Sequence, residues 1–520
     1  MPEDQQGLKV LGTPLGTRAF VRRHGDKRLQ EEKAFWDKLS SLPDLQSAWL
    51  LLLNCAAPRS NYTTRTLPPT LAENYARKHD AGVWGVLAQL LDREDLAEEL
   101  NSVHARLASL PLRLGGAGLR SADRTREAAY WASWADTLPM MAARCPNLCE
   151  TFCQELESES SRAESLRQAA AARRSLVRKG YDECPTWGAL KAGTRPPKPE
   201  TTEPVEFAHG WQYHASSRTE THYREHMVFA RQERPRQALL HSQAGLCAGT
   251  HLTALPLRPE TKWKPAQLRA LLLRRLWLPL HLQDRWCRCG LPLDAWGHHR
   301  AACGTAGVLQ TRAVPLERMW RRVCREAGGR LRPGALKELN LGPVLPNDNR
   351  RLECVVDDLP LPRGGQVAVD CTLVSALKRS GEARPRAHRE EGAALADSRK
   401  RKKARYPELV LPGSRCKLVF AGMEVGGRWA QEAYDFVKLL ASAKARDTPG
   451  VLQGSTYHAW KRRWVTMLSV AGMRAFADSL LHGTASSTDA VDGAQPTLSE
   501  LLGEEPHAGQ VEASRLPLRS

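Results

Sequence analysis

The sequence predicts an α+β chain of several domains, with a mostly helical N-terminal half, a small metal-stapled segment and an α/β unit toward the C-terminus. Three observations carry that expectation. Apolar residues recur near helical spacing over most of residues 28–97. Cys287, Cys289, His298, His299 and Cys303 crowd into one short, Gly-containing span. Two strand-like segments that carry acids, 350–357 and 366–372, precede a run that reads as a helix and is rich in Arg and Lys. With 520 residues the chain is long enough for roughly three domains.

The net charge of +19 favours an anionic partner, most simply nucleic acid. A membrane is disfavoured because the longest apolar runs, 48–57 and 271–280, are interrupted or too short to span a bilayer. Met1-Pro2-Glu3-Asp4-Gln5-Gln6 lacks the basic and apolar regions of a signal peptide. Thirteen scattered cysteines suit a reducing compartment, nucleus or cytoplasm, with thiols or metal ligands rather than a disulfide framework; the expected location is nuclear. Fifteen tryptophans are expected to serve mainly as packing anchors, with Trp131, Trp134, Trp320 and Trp460 lying in helical patterns.

Taken in order, residues 1–150 open with Leu11-Gly12-Thr13-Pro14-Leu15-Gly16, an abrupt start that reads as the continuation of something upstream, and continue as helices broken at Pro43, Pro58 and Pro68-Pro69. Leu114-Gly115-Gly116-Ala117-Gly118-Leu119 lacks the glycine spacing that cradles phosphates and is expected to be a structural loop. Cys145, Cys149 and Cys153 stand four apart, so they share a helix face and are expected to pack rather than to bind metal. Residues 151–206 hold a polar helix, expected over 156–179, and a Pro-rich linker at 193–204. In the basic helical region 207–286, Arg269, Arg274 and Arg275 are expected either to contact phosphates or to form a solvated face.

Residues 287–303 supply three thiolates and one imidazole, enough to close a tetrahedral structural Zn2+ site and staple a loop too poor in apolar residues to fold alone. Spacing leaves His299 and His298 as alternative fourth ligands. The unit 311–482 reads helix, three strands, helix, strand, helix, with a last amphipathic helix over 456–481, and 483–520 reads as a disordered tail. Within the unit, side-chain alternation places Val367, Val369 and Cys371 on one strand face and Asp370 and Thr372 on the other, while Glu353 and Asp357 point the same way. Two or three acids holding Mg2+ or Mn2+ beside a lysine are what phosphodiester hydrolysis needs.

The Cys-x-Cys, His, Cys knuckle followed by this element order resembles the C-terminal half of non-LTR retrotransposon polyproteins that carry a restriction-endonuclease-like domain. The Leu11–Gly16 and Leu114–Leu119 segments are similar to stretches that follow the reverse-transcriptase palm, so 1–150 would correspond to a thumb-like remnant. The resemblance covers roughly residues 8–481, most specifically 287–406. It implies DNA and RNA partners, DNA nicking for target-primed reverse transcription, and a catalytic set of Glu353, Asp370 and Lys402, with Asp357 or Asp358 as rival first acids and Lys403 as the alternative lysine. The family's Pro-Asp is Leu352-Glu353 here, and Thr372 stands where restriction-type nucleases often have lysine, so the lysine role passes to the following helix.

Val355-Val356-Asp357-Asp358 is not expected to be the palm's aspartate pair, since the aromatic of that motif is missing and the segment follows the knuckle. Reverse transcription by this chain alone is therefore not expected. A catalytically inactive nucleic-acid-binding relic is the alternative to an active nuclease.

Overall fold

Helix starts are written into the chain as capping side chains. In the computed structural model, Thr17 Oγ1 accepts from the Phe20 N–H at 3.2 Å, and Ser121 Oγ accepts from Arg124 at 3.0 Å. Asp80 adds a second cap at the latter helix, accepting the Ala122 and Asp123 N–H groups at 2.8 and 3.1 Å. The structure describes residues 2–198, 209–280, 282, 286–287, 289–304, 308–336, 339, 348–359, 365–411 and 414–481. The second half of the expected linker, 199–204, and the whole expected tail, 483–520, lie outside the described residues.

A hairpin, β1 (Gly7–Val10) and β2 (Thr13–Gly16), leads into α1 (Arg18–Ser40), α2 (Leu45–Leu51), α3 (Asn61–Thr66), α4 (Pro69–Leu90), α5 (Val103–Ser109) and α6 (Ala122–Arg144). Then come α7 (Pro146–Ser158), α8 (Glu164–Arg178), α9 (Trp187–Lys191), α10 (Trp211–Tyr223), α11 (Arg234–Gln243) and α12 (Pro265–Arg275). The remainder is α13 (His298–Ala302), α14 (Val308–Glu326), β3 (Arg330–Arg332), β4 (Cys354–Asp357), β5 (Gln366–Val374), α15 (Ala393–Arg405), β6 (Cys416–Glu424), α16 (Gln431–Arg446) and α17 (Gly450–Leu481). The chain is mostly helical with a small mixed sheet, an α+β layout. That sheet runs β3-β4-β5-β6, antiparallel at the first two pairings and parallel at the third.

Two expected elements differ. The helix expected over 156–179 is two, because Ser158, Ser160 and Ser161 draw local hydrogen bonds that compete with the helix and Glu159 turns left-handed at φ 55°. The strand expected over 350–357 joins the sheet only from Cys354, so Glu353 sits immediately ahead of it.

Burial follows strand alternation. Cys354, Val356, Val367, Val369 and Cys371 face α14 in a core that contains Trp320, Val323 and Phe476. Val355 and Ala368 face a separate small core with Tyr406, Leu409 and Cys416. The larger core is continuous from Trp36 to Leu480, so the N-terminal helices and the sheet share it. Helices α6 to α10 have their own cluster, in which Cys149 and Cys153 pack with Trp131 and Trp187.

The arginines of α12 are neither a phosphate-contacting row nor a solvated face. Arg274 and Arg275 are buried. Arg275 donates to the carbonyls of Gly116 (2.6 Å), Leu112 (2.9 Å), Gln243 (3.1 Å), Ala248 (3.2 Å) and Gly426 (3.5 Å), tying the Gly-rich loop, the middle helices and the turn after β6 together. Arg274 reaches the Trp296 carbonyl. Arg269 pairs with Asp92 at 3.0 Å.

Candidate active site and metal centre

The β4–β5 register pairs Val356 with Val367, Val355 with Ala368 and Cys354 with Val369. One step further along the same ladder sets Glu353 opposite Asp370, on the Val355/Ala368 face. The ladder to β4 stops there, while β5 runs on to Val374. Helix α15, which connects β5 to the parallel strand β6, supplies the lysine: Lys402 Nζ lies 2.6 Å from Asp370 Oδ1 and 3.8 Å from Glu353 Oε1. Just beyond α15, the Tyr406 hydroxyl donates to the Arg351 carbonyl at 2.8 Å, fixing the chain two residues before Glu353.

Asp370 is fully buried, and Asp370 Oδ2 and Glu353 Oε2 are buried oxygens with no hydrogen-bond partner. Leaving such oxygens unpaired is costly unless a proton or a cation reaches them. Burial, and then the charge of Asp370, push the Glu353 carboxyl up to about 7 against the pull of Lys402. Burial also raises Asp370, opposed by Lys402 and Arg405. A third carboxyl belongs to this group: Glu317 of α14 is raised by burial and then by Asp370. Three acids thus share one field with one closely bound ammonium.

Glu317 was not among the residues singled out from sequence. It borders the apolar stripe of Leu316, Met319, Trp320 and Val323, where charged residues flank any amphipathic helix, and only the tertiary contact distinguishes it. The alternatives lie elsewhere. Asp357 is opposite Gln366, four residues and roughly 13 Å along the strand from Glu353. Its carboxylate pairs with Arg332 at 2.6 Å and accepts from Gln366 at 2.9 Å, and these partners outweigh burial and hold it below the usual range. Asp358 pairs with Arg330 at 3.1 Å. Among the described residues, Lys403 makes no ion pair with the acids; only Lys402 faces them.

The second cluster forms where the sequence is richest in soft ligands. Ligand atoms of Cys287, Cys289, His299 and Cys303 all lie within 4.8 Å of one another, and this set could hold a zinc ion. Asp294 builds the ligand helix: its carboxylate accepts the N–H groups of Trp296 (3.0 Å), His298 (3.0 Å) and His299 (2.8 Å), starting α13 so that His299 points inward and Cys303 follows its end. Cys289 Sγ is 3.2 Å from His299 Nε2. A backbone N–H bond at Leu291 leads the influences that bring the Cys289 thiol down to about 7.

The choice between histidines is resolved by direction. His298 turns away, stacking on Trp296 and lying 3.4 Å from Arg274 Nη1, and burial with that guanidinium pushes it down to about 4. The two centres are linked through α14: Arg312, fully buried, donates to the Ala301 carbonyl of α13 at 3.1 Å and to the Leu373 carbonyl of β5 at 3.0 Å. No helix among the described residues is long and apolar enough to cross a membrane. No protein-family model matches the chain, and no curated protein matches it.

Proposed function

We propose that this chain is a retrotransposon-derived nucleic-acid-binding protein whose C-terminal unit is a restriction-endonuclease-like, Mg2+- or Mn2+-dependent DNA nickase. The observation that carries this reading is the convergence of Glu353 and Asp370 on Lys402, with one buried oxygen of each carboxylate left unpartnered and Glu317 within their electrostatic reach. The element order of helix, three strands, helix, strand, helix supports it, as does a Cys3His cluster just before that unit. A net charge of +19 suits DNA and RNA partners, and nuclear DNA is the natural target.

Glu353 and Asp370 would hold the divalent ion, with Glu317 beside them. When bound, the ion supplies Lewis-acid polarisation of the phosphate and a water of lowered pKa. Lys402 carries the positive charge that faces the phosphate oxygens as their negative charge grows. Burial of Asp370 keeps solvent from screening these charges.

A binding-only relic is the second reading, favoured by Thr372, whose hydroxyl stands 3.5 Å from Asp370 Oδ1 where restriction-type nucleases often place lysine. Plasmid nicking by the folded, zinc-loaded protein separates the two. Metal-dependent nicking that is lost in Asp370→Asn supports the nuclease. Absence of nicking in the unmodified protein leaves the relic.

A further inference from the structure

A second site lies in the helical half, away from the carboxylates and independent of the nuclease reading. A cavity of about 610 Å3 is bounded by the segment after α2, the Gly-rich loop, the start of α6 and the start of α10. Its size falls within the roughly 300–1,000 Å3 of ligand sites. Arg113 and Arg120 line it, and no carboxylate does. Both guanidiniums are on exposed residues, and among the described residues neither makes an ion pair.

The neighbouring cavity of about 730 Å3 shows the contrast. There Asp80, Asp123 and Glu127 stand among the cations, and Arg126 and Lys179 are ion-paired to Asp123 and Glu127. In that cavity acids in the lining itself pair with part of the cationic charge, whereas no acid lines the one at Arg113.

The loop that presents the two arginines is held firmly. Arg275 donates to the carbonyls of Leu112 and Gly116, on either side of Arg113, and Gly245 N–H donates to the Arg113 carbonyl at 2.8 Å. At Gly116 a Cβ would come within 2.2 Å of the Leu110 carbonyl oxygen, so the loop is folded onto itself as tightly as backbone allows. The cationic side chains therefore project from a preorganised frame, which lowers the entropic cost of binding.

Flat and hydrogen-bonding groups complete the lining. Tyr213 is stacked on His209 with ring centroids 3.6 Å apart and planes within 10°. Gln212 Oε1 is already engaged by Arg65 at 2.9 Å, which leaves its NH2 group to donate, and the Asn61 side chain lies on the same wall. Guanidiniums take phosphodiester oxygens, an aromatic ring takes the face of a base, and amides take its edge. In a duplex the base faces are already stacked on one another, so this combination fits an unpaired strand.

We propose that this cavity binds single-stranded nucleic acid, with one base against Tyr213 and its flanking phosphates on Arg113 and Arg120. Fluorescence anisotropy with labelled oligothymidylate and oligouridylate tests it, using the full chain in an Asp370→Asn background so that cleavage cannot intervene whether or not the nuclease reading holds. Arg113→Gln with Arg120→Gln should flatten the slope of log affinity against log salt by about 1.4, at about 0.7 per phosphate of a single strand. Tyr213→Leu should weaken binding by roughly five- to 150-fold, the range for one lost base stack, without changing the slope.

Losses on both oligomers assign the shared base and phosphate as the ligand, and losses on one assign that strand; both support the site. An unchanged slope together with an unchanged affinity overturns it, as do equal losses toward a duplex. Thermal denaturation of each variant establishes that these surface substitutions leave the fold intact.

Discussion

Replacing Glu353 by glutamine should stabilise the cation-free protein at pH 8 and leave its stability unchanged at pH 4. Burial and the neighbouring Asp370 lift this carboxyl from 4.5 to about 7. A carboxyl raised in the fold contributes stability below its unfolded value, near pH 4.5, and that contribution is lost as pH rises through about 7. Above that range the folded protein must carry the charge at a cost of about 3 kcal/mol, taken at about 1.4 kcal/mol per pH unit. The side chain is 20% exposed, so water screens little of this. Lys402, 3.8 Å away, only partly compensates, because its closer contact is Asp370 at 2.6 Å.

Glutamine keeps the shape and removes the penalty, giving an expected gain of about 2–3 kcal/mol at pH 8. Urea denaturation followed by tryptophan fluorescence at pH 4, 6 and 8 measures it. Equal stability of the two proteins at pH 8, or the same gain at pH 4, would refute the argument, because the carboxyl would then not be ionising against its surroundings. Added Mg2+ at about a hundred times its Kd should stabilise the unmodified protein by about 2.7 kcal/mol at pH 8, and the variant by less.

Four further outcomes are expected. Arg275→Ala removes a buried cation that serves five carbonyls and should cost about 3–5 kcal/mol, read as a fall in the thermal midpoint; a loss under about 1 kcal/mol would contradict the role assigned to it. Cys287→Ser with Cys289→Ser should abolish bound zinc in elemental analysis, His299→Ala should reduce it, and His298→Ala should leave the stoichiometry intact. Lys402→Ala should slow nicking by roughly 100- to 1,000-fold, the scale of losing one charge-stabilising donor, whereas Lys403→Ala should not. Asp357→Asn should leave nicking unchanged and cost about 0–1 kcal/mol, since its pair with Arg332 lies at the sheet's surface.

Much of the C-terminal unit was legible because its signals are local. Strand alternation puts Val369 and Cys371 on one face and Asp370 on the other whatever they pack against, and Val369 and Cys371 lie in the larger core while Ala368, on the Asp370 face, lies in the smaller one. The knuckle ligands were legible because four soft ligands lie within seventeen residues, 287–303, so little chain has to fold to gather them. Spacing could not choose between His298 and His299, since adjacent residues differ only in direction. Asp294, by capping α13, sets that direction.

The sequence by itself determined the order of elements in the C-terminal unit, the soft-ligand cluster and the charge that calls for an anionic partner, because each depends on neighbours along the chain or on a sum over it. Tertiary structure alone decided which charges are spent inside the protein. Arg274 and Arg275 occur on an apolar helix-like run where phosphate contact and a solvated face read equally well, yet carbonyls from distant loops, Gly116 and Gly426 among them, draw Arg275 inward. Glu317 was one more charge beside an apolar stripe until α14 was laid against β5 and brought it into the field of Asp370. A side chain's partner across hundreds of residues is fixed by packing, and local pattern carries no record of it.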